Sequence, residues 1–234
     1  MKLYEIAYIC SLYPVLADFD SSLKEFRRKT RRTFDVNDTA HKQALFEWLN
    51  SWGCRQFSKA HYSTASRSLV AWAKRYLDQL PREKDALLAL SDVALDVVAD
   101  AYGDLRDRLA SRRSGGESGK YNVGFGPTGA AKVLFALRPN AFPPWDDPIR
   151  THFKFDGSSD SYHRFLKKVQ SELSDLENDA KRFEIQLATI PRRIGRPDST
   201  LPKIVDEYYW AAVTNGIKPP SRKELEDWAL WARG

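Results

Sequence analysis

Apolar residues recur at three- and four-residue intervals along nearly the whole chain, the spacing of helices that bury one face. After Asp38 they fall at Ala40, Ala44, Leu45, Trp48, Leu49 and Trp52, with Asp38 placed as the cap and Gly53 as the stop. Leu69, Trp72, Ala73, Tyr76, Leu77 and Leu80 repeat the pattern until Pro81 ends it. Ser91 is placed to cap a helix carrying Val93, Ala94, Val97, Val98 and Ala101, with Gly103 as its stop. Tyr162, Phe165, Leu166, Val169, Leu173 and Leu176 form another stripe. At the C-terminal end Ser221 and Glu224 have capping-box spacing ahead of Leu225, Trp228, Leu230 and Trp231. No stretch alternates as a half-buried strand does, and no repeat period is visible. The expected fold is all-α.

Two stretches interrupt the helical rhythm, 111–128 (rich in glycine) and 138–148 (rich in proline and aspartate). Irregular segments between well-formed helices are where sites are usually built. With 234 residues the chain is one large domain or two small ones sharing a cleft, and 42% hydrophobic content supplies a real core. Two cysteines, Cys10 and Cys54, exclude a disulfide framework and a four-thiolate cluster. The four histidines have no metal-ligand spacing, so no metal and no cofactor are expected. An apolar N-terminal run is broken by Glu5 and Pro14, and nothing approaches about 18 uninterrupted apolar residues. A cytoplasmic protein without a membrane span is expected.

The charge, 37 Lys plus Arg against 31 Asp plus Glu, favours a polyanionic partner only slightly. Its placement says more: Lys24, Arg27, Arg28, Lys29, Arg31 and Arg32 crowd one segment, Arg112 and Arg113 precede the glycine-rich loop, and Arg192, Arg193 and Arg196 form a third cluster.

The most informative segment runs Tyr121-Asn122-Val123-Gly124-Phe125-Gly126-Pro127-Thr128-Gly129-Ala130-Ala131-Lys132-Val133-Leu134. A Gly-x-Gly turn opening into an Ala-rich helix offers backbone N–H groups at a positive helix end, a ready anion site. Gly124, Gly126, Thr128 and Lys132 are the candidate phosphate ligands. A dinucleotide-binding fingerprint needs a strand before the glycines and a third glycine after them; neither is assigned here, and that reading is set aside.

This segment resembles the helix–hairpin–helix motif of DNA-binding and DNA-repair proteins. Phe142-Pro143-Pro144-Trp145-Asp146-Asp147-Pro148-Ile149-Arg150 looks like the stretch that follows the hairpin in the helix–hairpin–helix DNA glycosylase superfamily, endonuclease III-like and adenine-glycosylase-like proteins above all. There a Phe-Pro lead-in precedes an aspartate at a helix start, then an aliphatic and a basic residue. The likeness covers about 35 residues. It implies a two-domain helical enzyme with an inter-domain cleft: 38–137 as the central helical domain with the hairpin, and 1–37 plus 138–234 as a second domain carrying the catalytic aspartate. The lead-in here is one residue longer than the family's, so the register leaves Asp146 or Asp147. Asp147 before Pro148 also reads as an ordinary N-cap with proline at the first helical position.

The resemblance implies a DNA glycosylase, monomeric and acting on double-stranded DNA. It would flip a modified or mismatched base into a pocket and hydrolyse its N-glycosidic bond, leaving an abasic site. Trp145, Trp48, Trp52, Tyr62 and Gln56 are candidates for the base pocket or the gap left in the stack. The family's bifunctional members carry a lysine where this chain has Thr128, which implies hydrolysis without strand cleavage. The departures from the pattern suggest a specialised substrate, such as modified phage DNA met in anti-phage defence. Two other readings stay open: a non-catalytic helix–hairpin–helix duplex-binding protein, and an adaptor for RNA or an acidic protein.

Overall fold

A computed structural model of the chain describes residues 1–115 and 119–232. The helices, in chain order, are α1 (Leu3–Leu16), α2 (Phe19–Lys29), α3 (Thr39–Ser51), α4 (Tyr62–Tyr76), α5 (Asp92–Asp107), α6 (Gly126–Leu137), α7 (Asp147–His152), α8 (Ser159–Lys181), α9 (Ile190–Arg193), α10 (Leu201–Tyr209) and α11 (Arg222–Trp231). Helix α5 packs on both α6 and α8, α2 packs on α3, and α1 packs on α10. The buried side chains form one continuous apolar cluster from Ile6 to Tyr209. No helix among the described residues is long and apolar enough to cross a membrane.

Several helix boundaries follow the predicted caps. The Asp38 carboxylate accepts the N–H of His41 at 3.0 Å, and Gly53 beyond α3 adopts φ +84°. Ser91 accepts the N–H of Ala94, and Ser221 with Glu224 closes the reciprocal box of α11. Helix α8 buries Tyr162, Phe165, Leu166, Val169, Leu173 and Leu176, the stripe read from its sequence. Helix α11 is capped as expected, yet Trp228, Leu230 and Trp231 remain exposed.

Three expectations need correction. Gly103 does not stop α5, which continues to Asp107. A Cβ there would meet Ser159 Cβ at 3.1 Å, so the glycine lets α8 approach closely, a role that outweighs its poor helix propensity. The mostly helical fold agrees with the all-α expectation, but the expected lack of any strand does not hold: the described residues include one hairpin, β1 (Leu109–Gly115) and β2 (Gly119–Gly124), antiparallel, with Arg112 opposite Asn122 and Arg113 opposite Tyr121. The third correction concerns the glycines. Strand β2, not a helix, leads into Gly124-Phe125-Gly126, so the local order is strand–turn–helix rather than helix–hairpin–helix. Gly124, Gly126 and Gly129 do have the G-x-G-x-x-G spacing behind a strand. That strand belongs to a two-stranded antiparallel ribbon, however, and no parallel β-α-β crossover exists among the described residues to make a dinucleotide fold.

Candidate active-site cleft

Gly124 and Gly126 are fixed for different reasons. A Cβ on Gly124 would sit 2.8 Å from the Arg106 carbonyl oxygen, so the chain there lies against the end of α5. Gly126, at φ +71°, occupies the left-handed region that side chains avoid. Between them Phe125 is buried, and its N–H donates to the Arg108 carbonyl at 2.9 Å. Gln56 reaches over the turn to donate to the Phe125 carbonyl at 2.6 Å. These contacts hold the start of α6, whose first N–H groups have no partner within the helix.

Helix α7 is tied to that start by Arg150. Its buried guanidinium donates to Thr128 Oγ1 at 2.8 Å and to Asp147 Oδ1 at 2.9 Å. Thr128 is therefore occupied by an arginine as well as placed at the cleft. The cap position also differs from expectation: Asp146 is the N-cap residue of α7 and Asp147 lies inside its first turn. Proline at the second helical position leaves the aspartate before Asp147 as the last extended residue. The Asp147 side chain is 83% exposed, whereas Asp146 is largely buried with Oδ1 lacking any hydrogen-bond partner. Burial raises the Asp146 pKa above the usual aspartate value, and the Asp206 charge adds to this; Lys132, the Ile149 N–H and Arg150 pull the other way.

Asp146 stands where two recesses meet. A shallow one of about 360 Å³ is lined by Gln56, Gly126, Thr128, Asp147 and Pro148 among others; a tight one of about 60 Å³ is lined by Tyr13, Phe19, Asp206 and Trp210. Trp52, Lys132 and Asp146 border both. The rings of the tight recess meet edge to face, Tyr13 with Trp210 at 5.4 Å, Phe19 with Trp210 at 5.8 Å and Phe19 with Trp52 at 5.9 Å. Beneath them Lys203 is fully buried, 2.9 Å from Asp206 and 3.5 Å from Glu207. Its Nζ also lies over the rings of Tyr13 and Trp52, at 4.7 and 5.3 Å. Arg196 joins Asp20 at 2.5 Å to Glu207 at 2.7 Å, so the aromatic wall rests on a buried ionic network.

The predicted pocket residues separate accordingly. Trp52 and Gln56 line the cleft. Trp145 does not: it is fully buried among Tyr102, Phe155, Tyr162 and Phe165, because the proline-rich lead-in turns its ring into the core. Trp48 is stacked on Phe26 inside the core, and half-buried Tyr62 leans on Phe46 away from both recesses. Lys132 is not a solvent-facing phosphate ligand; it is buried, donating to the Trp52 carbonyl at 2.8 Å. Sequence reasoning missed Tyr13, Phe19, Asp206 and Trp210, which arrive from both ends of the chain without a local motif.

No family model, curated protein or solved structure matches the chain.

Proposed function

We propose that the cleft is the active site of a monofunctional DNA glycosylase, with Asp146 as its catalytic carboxylate. The observation that carries this reading is a buried carboxylate with an unpartnered oxygen, set between an aromatic recess and an open helix N-terminus. Trp52, Gln56 and Gly126 from the segment 38–137 meet Tyr13, Phe19, Asp146 and Asp206 from 1–37 plus 138–234 at the cleft. Double-stranded DNA lies with a phosphate at the N–H groups of Gly126, Thr128 and Gly129, and one nucleotide turns out of the stack toward Asp146. Trp52 and the rings beside it supply the stacking surface.

Breaking the N-glycosidic bond builds positive charge on the sugar, which an ionised Asp146 stabilises. Water adds its oxygen to the anomeric carbon, the bonding pair leaves with the base, and a water proton passes to the carboxylate. A modified base is the substrate class, with modified phage DNA a specific candidate. The test offers genomic and phage DNAs carrying different base modifications and identifies released bases by mass spectrometry. Release by the native protein supports the reading. Duplex binding without release from any substrate leaves a non-catalytic DNA-binding protein instead.

Two further outcomes are expected. Gly126→Val should weaken binding to all duplex sequences by a similar factor, since phosphate contacts carry no base information, and the loss should be steepest at low salt. Anisotropy titrations against several duplexes, with a melting curve to show that the variant is folded, check this; a sequence-selective loss contradicts it. Borohydride should trap no covalent adduct, because the Thr128 hydroxyl cannot form an imine and the Lys132 amine is engaged by the Trp52 carbonyl. An adduct that disappears in Lys132→Met would make this lysine the nucleophile and the enzyme bifunctional.

A further inference from the structure

The β1–β2 ribbon has a buried root and an exposed outer half. Ala110 and Ser111 are fully buried where β1 meets α4, whereas Arg112, Arg113, Tyr121 and Asn122 are all exposed. Paired residues share a face and neighbours along a strand alternate. Arg112 with Asn122 therefore occupies one face, and Arg113 with Tyr121 the other. At these four residues both faces are in solvent. The root anchors the ribbon, and its outer half presents two arginines, an aromatic ring and an amide to a partner.

Its position identifies that partner. Only Phe125 separates Gly124, the last residue of β2, from Gly126 at the start of α6, and Gly124 is pressed against the Arg106 carbonyl. The ribbon and the helix N-terminus thus form one rigid corner. At about 3.3 Å per residue the strands carry Arg112 and Arg113, opposite Asn122 and Tyr121, to roughly 7–10 Å from Gly124, within the width of about 12 Å of a DNA major groove. The partner this fits is a polyanion with a groove that admits a two-stranded ribbon.

We propose that the outer ribbon enters a groove of the duplex bound at the cleft, Arg112 and Arg113 meeting phosphates and base edges and Tyr121 and Asn122 packing beside them. The inference rests on the reading of the cleft as a duplex-DNA site, and the two fail separately. Base release tests the cleft; binding tests the ribbon.

The experiment compares the native protein with Arg112→Ala/Arg113→Ala and with Tyr121→Ala, using a labelled duplex and the matching single strand over a range of KCl concentrations. For the double-arginine variant, the expected result is roughly a tenfold or greater loss of duplex affinity, a slope of log affinity against log salt shallower by about 2, and a smaller loss on the single strand. Arg112→Lys/Arg113→Lys should restore the slope, since lysine keeps the charge. These side chains are exposed, so melting temperatures should not change. Unaltered duplex affinity and slope overturn the inference while leaving the cleft assignment standing. Equal losses on duplex and single strand also overturn it, because they describe a general attraction for polyanions rather than a groove contact.

Discussion

Asp146→Asn is expected to lower base release by about 10³-fold or more while leaving duplex affinity intact, and to make the protein more stable. The substitution keeps the shape of the side chain and removes the charge that the developing sugar cation requires. The stability gain follows from the same burial that suits the carboxylate to its task. Folding raises the Asp146 pKa, so the folded state disfavours the ionised form. The native protein therefore loses stability as pH rises above the ordinary aspartate value and on through the raised folded one. Asparagine has no such loss. The variant should melt higher than the native protein at neutral pH, and the difference should vanish in acid. Calorimetry across pH alongside the release assay checks both halves. Full activity in Asp146→Asn with loss in Asp147→Asn would move the catalytic role one residue along.

Lys203→Met is expected to cost about 3–5 kcal/mol, the usual consequence of removing one partner from a buried ion pair. Burial alone would lower the Lys203 pKa, but Asp206 and Glu207 more than reverse this and raise it. Its contribution is therefore complete at neutral pH and is lost only above the ordinary lysine range, as pH rises through the folded value. Methionine fills similar space but leaves Asp206 without its cation and Glu207 with Arg196 alone, and burial already raises the Glu207 pKa. Urea unfolding should show a lower midpoint with an unchanged slope. Adding Glu207→Gln should recover part of the loss; a single variant as stable as the native protein would show that the network holds nothing together.

Much of this architecture is legible in the chain. Helices α3, α5 and α8 announce themselves because each buries a single stripe and each has an oxygen-bearing cap at its start. The ribbon is illegible for the opposite reason: with solvent on both faces, Arg112, Arg113, Tyr121 and Asn122 have no cause to alternate with apolar residues. Gly103 misleads because its packing against Ser159 joins residues far apart in sequence. Trp145 misleads because proximity to an aspartate along the chain says nothing about which way an indole turns. The family resemblance brings Asp146 and Asp147 forward without deciding between them, whereas Asp206 and Lys203 sit in an unremarkable helix and acquire meaning only through α1, α3 and α7.

The walls of the tight recess have a consequence for how the protein is made. Tyr13 and Phe19 precede Trp52 and Asp146 in the chain, and Asp206 and Trp210 follow them. Chains emerge from the ribosome N-terminus first, so the glycine turn and the Asp146 carboxylate exist as parts well before the chamber that closes on them. Until Trp210 packs against Tyr13 and Phe19, the recess beside Asp146 lacks one of its walls. Arrival of Trp210, rather than formation of any one helix, closes this recess beside the carboxylate.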